Sequence, residues 1–110
     1  MNEKTAQQLA QEGIDRAVSH ADRVIEHWSD LAYEFFLLSI LNRPGKQFRT
    51  EQLINHAESH NIPKPPDNRA WGAVIQRGAK AGFIKKVGYE PGTNPTAHGR
   101  PVTVWEVTNG

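Results

Sequence analysis

The stretch from Asp67 to Val107, DNRAWGAVIQRGAKAGFIKKVGYEPGTNPTAHGRPVTVWEV, constrains the fold of this chain more than any other. Pro65-Pro66 followed by Asp67 predicts a helix start, because an Asp carboxylate accepts hydrogen bonds from the unpaired N–H groups of a first turn. Gly82 marks the end. At 100° per residue, Ala70, Trp71, Val74, Gly78 and Ala81 share one side and form a core-facing stripe. The other side carries Arg69, Ala73, Gln76 and Lys80, with Gly72 and Ala79 beside them: a polar, basic face of unusually small residues. Phe83 to Tyr89 and Pro101 to Val107 are rich in β-branched and aromatic residues and predict two strands. The Gly- and Pro-containing loop from Glu90 to Arg100 closes them as an antiparallel pair.

Upstream, Ala21, Val24, Ile25, Trp28, Leu31, Ala32, Phe35, Phe36, Leu38 and Leu41 keep a helical period until Asn42, Pro44 and Gly45 stop it. That apolar face is wider than a three-helix core needs, and predicts packing on the N-terminal arm or a homodimer through Ala21–Leu41. Thr50 is the expected N-cap of a helix over Glu51–His60, with Leu53, Ile54 and Ala57 inward. The Pro63-Lys64-Pro65-Pro66 link is stiff, since proline fixes φ and restrains the residue before it. Met1–His20 reads as a polar arm, either a frayed helix or disordered, and residues 21–110 as the folded domain.

A chain of 110 residues suits one domain. With no cysteine, it has no disulfide, zinc ribbon or thiol nucleophile, which is compatible with a reducing cytoplasm. No charged start with an apolar run opens the chain, and Phe35–Leu38 is far too short to cross a bilayer. The expected setting is therefore cytoplasmic, away from membranes. Net charge is only +1, but it is unevenly spread. Met1 to Gly45 holds four basic residues against seven acidic ones, whereas Lys64 to Arg100 holds seven basic residues against Asp67 and Glu90. Positive charge thus gathers on the Asp67–Val107 segment, as an electrostatic footprint for phosphates requires.

Helix, strand, loop and strand after two earlier helices is the order of a winged helix-turn-helix domain. KAGFIKK (Lys80–Lys86) followed by GRPVTVWEV resembles the end of a recognition helix, the first wing strand and the returning strand of that family. The resemblance spans roughly Asp30 to Val107. It implies an α+β, mainly helical fold: a three-helix core plus a C-terminal β-hairpin wing, here with an N-terminal helical extension. It also implies a small edge strand at Lys46–Arg49. A non-enzymatic protein that binds double-stranded DNA is then expected, with Asp67–Gly82 in the major groove, where Arg, Gln and Lys reach base edges. Asn68, Arg69, Ala73, Gln76, Arg77 and Lys80 are the candidate contacts on the helix. Lys85, Lys86 and the wing residues Asn94, His98 and Arg100 are candidates for the backbone, with Thr93 and Thr96 beside them. The small form with an acidic N-terminal part is similar to accessory proteins of bacteriophages and prophages, which implies regulation of transcription or replication of phage DNA.

Blander explanations compete for the same residues. Basic residues on a helix are most often a solvated surface, and strand lysines often only protect a sheet edge. A winged helix used to dock proteins, its basic face against an acidic partner, is the alternative function. His56 and His60 have metal-ligand spacing on one helix but no evident third ligand, so no metal is expected. No glycine-framed nucleophile surrounds any Ser, and the GxxxxG of Gly72–Gly78 lacks the Lys-Ser or Lys-Thr of a phosphate loop. No enzymatic activity, cofactor or small-molecule substrate is therefore expected. Trp28, Trp71 and Trp105 read as core, with Trp71 and Trp105 expected to meet.

Overall fold

The computed structural model describes residues 5–91 and 101–108. Seven elements follow one another: α1 (Ala6–Val24), α2 (Trp28–Ile40), β1 (Gln47–Phe48), α3 (Thr50–Ser59), α4 (Ala70–Lys80), β2 (Ile84–Pro91) and β3 (Pro101–Val107). The three strands form one antiparallel sheet in the order β1-β3-β2. The fold is α+β and mainly helical, and its strand order is compatible with a winged-helix-like arrangement.

The N-terminal part departs from the expected arm. Thr5 and Gln8 cap α1 reciprocally, the Gln8 N–H donating to Thr5 Oγ1 (3.1 Å) and the Thr5 N–H to Gln8 Oε1 (2.8 Å). This box satisfies two orphan donors of the first turn. The helix then runs past residue 20 to Val24, burying Ala17 and Ala21 in the common core. The single helix expected over Ala21–Leu41 is instead broken at Ile25–His27, where His27 takes a left-handed φ of 58°. Asp22 reaches over the break and accepts from the Ser29 N–H (2.8 Å) and hydroxyl (2.9 Å), which supplies the start of α2 with an acceptor. Of the apolar residues there, Ala21, Trp28, Ala32, Phe36 and Ile40 are buried, while Val24, Leu31, Leu38 and Leu41 face outward.

Elsewhere the punctuation predicted the ends. Asn42, Gly45, Asn61 and Gly82 all adopt left-handed φ, the conformation that lets a helix or turn reverse. Asp67, by contrast, does not cap α4 directly. Its Oδ1 accepts from the Arg69 N–H (2.9 Å) within a lead-in turn, and α4 begins only at Ala70.

Helix α4 sits at the centre, packed against α1, α2, α3 and β2. Trp71 meets Trp28 edge-on, with ring centroids 5.2 Å apart and planes at 82°, a favoured aromatic geometry. Trp28 Nε1 donates to the Pro63 carbonyl (2.8 Å), tying the proline link to the core. The expected Trp71–Trp105 meeting gives way to this pair: Trp105 is only partly buried and faces Phe48 and Lys86 across the sheet. The core stripe is also rotated. Ala81 is exposed and Ile75 is buried, because α1 and the sheet side cover more of α4 than a two-helix neighbour would.

Gly78 lies where α4 crosses α2, and a Cβ there would come within 2.5 Å of Phe36 Cε2, on a ring with no exposed surface. Intrinsic helix propensity favours Gly78→Ala by about 1 kcal/mol, whereas overpacking costs about 1–3 kcal/mol. A lower thermal midpoint for Gly78→Ala is expected by circular dichroism, and a raised one would show that α2 and α4 do not meet this closely.

Candidate nucleic-acid interface

The helix face expected to reach DNA is divided by the structure into two parts. On one, α1 lies against α4. The Gln76 carboxamide and that of Gln11 hydrogen-bond reciprocally, Gln11 Nε2 to Gln76 Oε1 at 3.0 Å and Gln76 Nε2 to Gln11 Oε1 at 2.9 Å. Ile14 sits over Gly72, its side-chain carbons 3.2–3.5 Å from where a Cβ would stand. Gly13 lies against the Arg69 guanidinium, and Ala73 is half-buried. The small residues that suggested close approach to a groove therefore serve close approach of α1. With α1 in this position the Gln76 carboxamide is engaged by Gln11 and Ala73 is half-buried.

Asn68 and Arg69 remain exposed at the helix start. Arg69 Nε and Nη2 both donate to Asp67 Oδ2, at 2.9 and 2.7 Å. Hydrogen bonds from Arg69 hold the Asp67 carboxyl below its ordinary range, and Asp67 in turn raises the guanidinium. This is a local clasp, and at an exposed site such a pair is weak and exchangeable.

The second part is the C-terminal flank of α4 continuing into β2. Arg77 donates to Asp30 Oδ1 (3.0 Å) while its guanidinium stacks 4.0 Å above the Tyr33 ring, which leaves the side chain about half exposed. Lys80 is exposed and has no carboxylate partner among the described residues. Lys85 pairs across the strands with Glu106 (3.5 Å). Lys86 donates to Tyr89 Oη (3.2 Å) and likewise has no carboxylate partner among the described residues. Residues 77 to 89 contain these four cations and no acid. The strand pair slips register between Lys86 and Gly88, and such a bulge sharpens the local twist. Asn94, His98 and Arg100, like Thr93 and Thr96, lie outside the described residues.

The sequence missed Gln11 and Ile14 as partners of α4. The Thr5-to-Gln8 spacing of a capping box was the available sign that α1 is a real helix. His56 and His60 stack on each other at 4.4 Å and on Phe35 at 5.3 and 5.6 Å. Comparison with protein-family models, with curated proteins and with solved structures gave no match.

The seating of α1 is directly testable. Ile14 Cγ1 and Cγ2 stand 3.3 and 3.5 Å from where a Cβ on Gly72 would lie, close enough for a sulfur at each position to be tried as a bridge, and the chain has no other cysteine to compete. Ile14→Cys/Gly72→Cys is expected to oxidise to an intramolecular bridge, read by mass and thiol titration, and to gain about 2–4 kcal/mol of stability. Free thiols persisting under oxidising conditions would place α1 elsewhere.

Proposed function

We propose that this is a non-enzymatic winged-helix protein that binds double-stranded DNA, gripping phosphates with the flank formed by Arg77, Lys80, Lys85 and Lys86. The observation that carries the reading is this run of four outward cations across the end of α4 and β2, without an acid among residues 77–89. Arg77 and Lys85 have exposed ion pairs that a phosphate can replace at little cost, and Lys80 and Lys86 have no carboxylate to give up among the described residues. Asn94, His98 and Arg100, outside the described residues, are proposed as further phosphate contacts. Reading bases with Gln76 inside a major groove requires α1 to leave its seat. Phosphate contacts by the flank do not, so the form with α1 seated binds with little sequence preference. Control of transcription or replication of phage DNA is the setting proposed for such occupancy.

The same coverage of α4 by α1 favours a second reading, a docking module that meets an acidic protein. The two part on one titration. A phosphate binder loses affinity by orders of magnitude between about 50 and 200 mM salt, with a log–log slope of about 0.9 per phosphate neutralised. Lys80→Ala/Lys86→Ala is expected to bind duplex at least tenfold more weakly at low salt and to reduce that slope by about 2. The bridged Ile14→Cys/Gly72→Cys protein is expected to bind like wild type. Absence of duplex binding at low salt selects the docking reading, and a bridged protein that loses binding places the contact on the face beneath α1.

Self-association at the end of α2 belongs to the same proposal: Leu38 and Leu41 are 66% and 62% exposed, and Leu41 lines an apolar hollow of about 480 Å³ together with Leu37, Ile40 and Phe83. Sedimentation at micromolar concentration is expected to give the mass of two chains for wild type and one for Leu38→Glu/Leu41→Glu. A single-chain mass for wild type would remove the dimer.

A further inference from the structure

On the opposite edge of the sheet from β2, a cleft of about 270 Å³ opens between the end of α2, β1 and α3. Its floor is apolar, made by the buried side chains of Ile40, Phe48 and Leu53. Its rim carries Arg43, Lys46 and His56 with the polar groups of Ser39 and Gln52, and no carboxylate lines it.

The chain reaches this arrangement by a tight double reversal. Asn42 and Gly45 both adopt left-handed φ, of 59° and 83°, and the Lys46 N–H donates to the Arg43 carbonyl (3.1 Å). The turn is then fastened to β3, with the Gly45 N–H on the Val107 carbonyl (2.8 Å) and the Val107 N–H on the Lys46 carbonyl (2.9 Å). Two flexible cations are thus launched from a fixed turn beside α3. Neither Arg43 nor Lys46 has a side-chain hydrogen bond or ion pair among the described residues. The adjacent acid is already engaged, Glu106 accepting from Gln47 (3.2 Å) and pairing with Lys85 (3.5 Å). Three nitrogenous groups therefore face one hollow with no counter-charge, an arrangement that repels itself until an anion enters.

We propose that this cleft binds a small organic phosphate monoester or a like oxyanion, its charged head on Arg43, Lys46 and His56 and a single ring or short chain over Ile40, Phe48 and Leu53. The volume lies just below the roughly 300–1,000 Å³ of drug-sized sites, which suits a ligand of one ring. Arg43 offers the planar fork that matches oxyanion geometry, and Lys46 a movable point charge. His56 adds a pH dependence. Burial, then His60, Lys46 and Arg43, push its pKa below the ordinary value, while Phe35 and Ser39 from α2 and Gln47 and Gln52 bring no charge. It is thus mostly neutral near neutral pH, and a bound anion favours its protonated form, so affinity rises as pH falls. This inference stands apart from the DNA reading, whose cations lie along α4 and β2.

The test is a heteronuclear NMR titration at pH 8 and pH 6. Phenyl phosphate is the ligand probe, benzenesulfonate the probe whose charge does not change with pH, and benzyl alcohol the neutral control. Saturable shifts at the amides of Ser39, Lys46 and Gln52 are expected with both anions by about 10 mM, a weak but specific affinity. Arg43→Ala/Lys46→Ala is expected to raise the Kd at least tenfold. His56→Gln is expected to keep the pH 8 affinity and lose the gain for benzenesulfonate at pH 6. An equal response to benzyl alcohol, an unchanged Kd in the double variant, or no saturation overturns the site. So does a short DNA duplex that shifts these amides when the small anions do not, which reassigns the cations to nucleic acid. Failure of duplex binding with retained anion binding overturns the DNA reading alone.

Discussion

The contact between Trp28 and Trp71 is the constraint on which the rest of the molecule depends. Trp28 opens α2, Trp71 lies in the first turn of α4, and the indole N–H of Trp28 holds the carbonyl of Pro63. The start of α2, the proline link and the start of α4 thus meet at two rings with almost no solvent exposure. With α4 fixed there, Gly78 lets Phe36 pack against its last turn and Gly72 admits Ile14 at its first. Small residues on α4 are what allow four elements to close around one short helix. The same choice removes that helix from free display, so the surface available for recognition is set by core packing.

The charge on the remaining flank has both local and surplus components. Arg77 and Lys80 fall in the last turn of α4, where cations complement the helix dipole, and Lys85 balances Glu106 across the strands. Lys80 and Lys86 have no carboxylate partner among the described residues. The surplus is modest, two charges beyond the pairs Arg77–Asp30 and Lys85–Glu106. Arg43 and Lys46, at the other end of the sheet, present unpaired charge over an apolar hollow instead. Cations spread along a helix end and a strand suit an extended polyanion, and a cluster around a hollow suits a small one.

Much of the fold was legible in the sequence because its signals are local. Asn42, Gly45, Asn61 and Gly82 have left-handed backbones that Asn and Gly tolerate, and they ended elements where expected. Pro101 to Val107, rich in β-branched and aromatic residues, forms the expected strand. What escaped was non-local or masked by overlap. The break at Ile25–His27 was hidden because Val24, Ile25 and Trp28 continue the apolar period of α2 across it, while the signal that mattered was Asp22 bonding Ser29 seven residues on. The partner of Gly72 and Gln76 was misjudged for a related reason. A small polar face looks the same whether it awaits a ligand or a helix, and only the tertiary placement of Gln11 and Ile14 decides. Basic residues were read correctly as exposed where no helix covers them, at Lys80, Lys85 and Lys86.

The sheet is uneven along its length. β1 contributes only Gln47 and Phe48, paired with Glu106 and Trp105, so it backs just the last part of β3, and from Val104 to Pro101 the ribbon has β2 alone beside it. The turn at residues 43–46 clamps the same broad end through Val107. The ribbon is therefore a cantilever, stiff at the root and compliant toward Pro91 and Pro101. Val107 joins the two ends of this design: it pairs with Ile84 of β2 and makes both backbone bonds to the turn bearing Arg43 and Lys46, so the root of the ribbon and that turn are fastened at one residue.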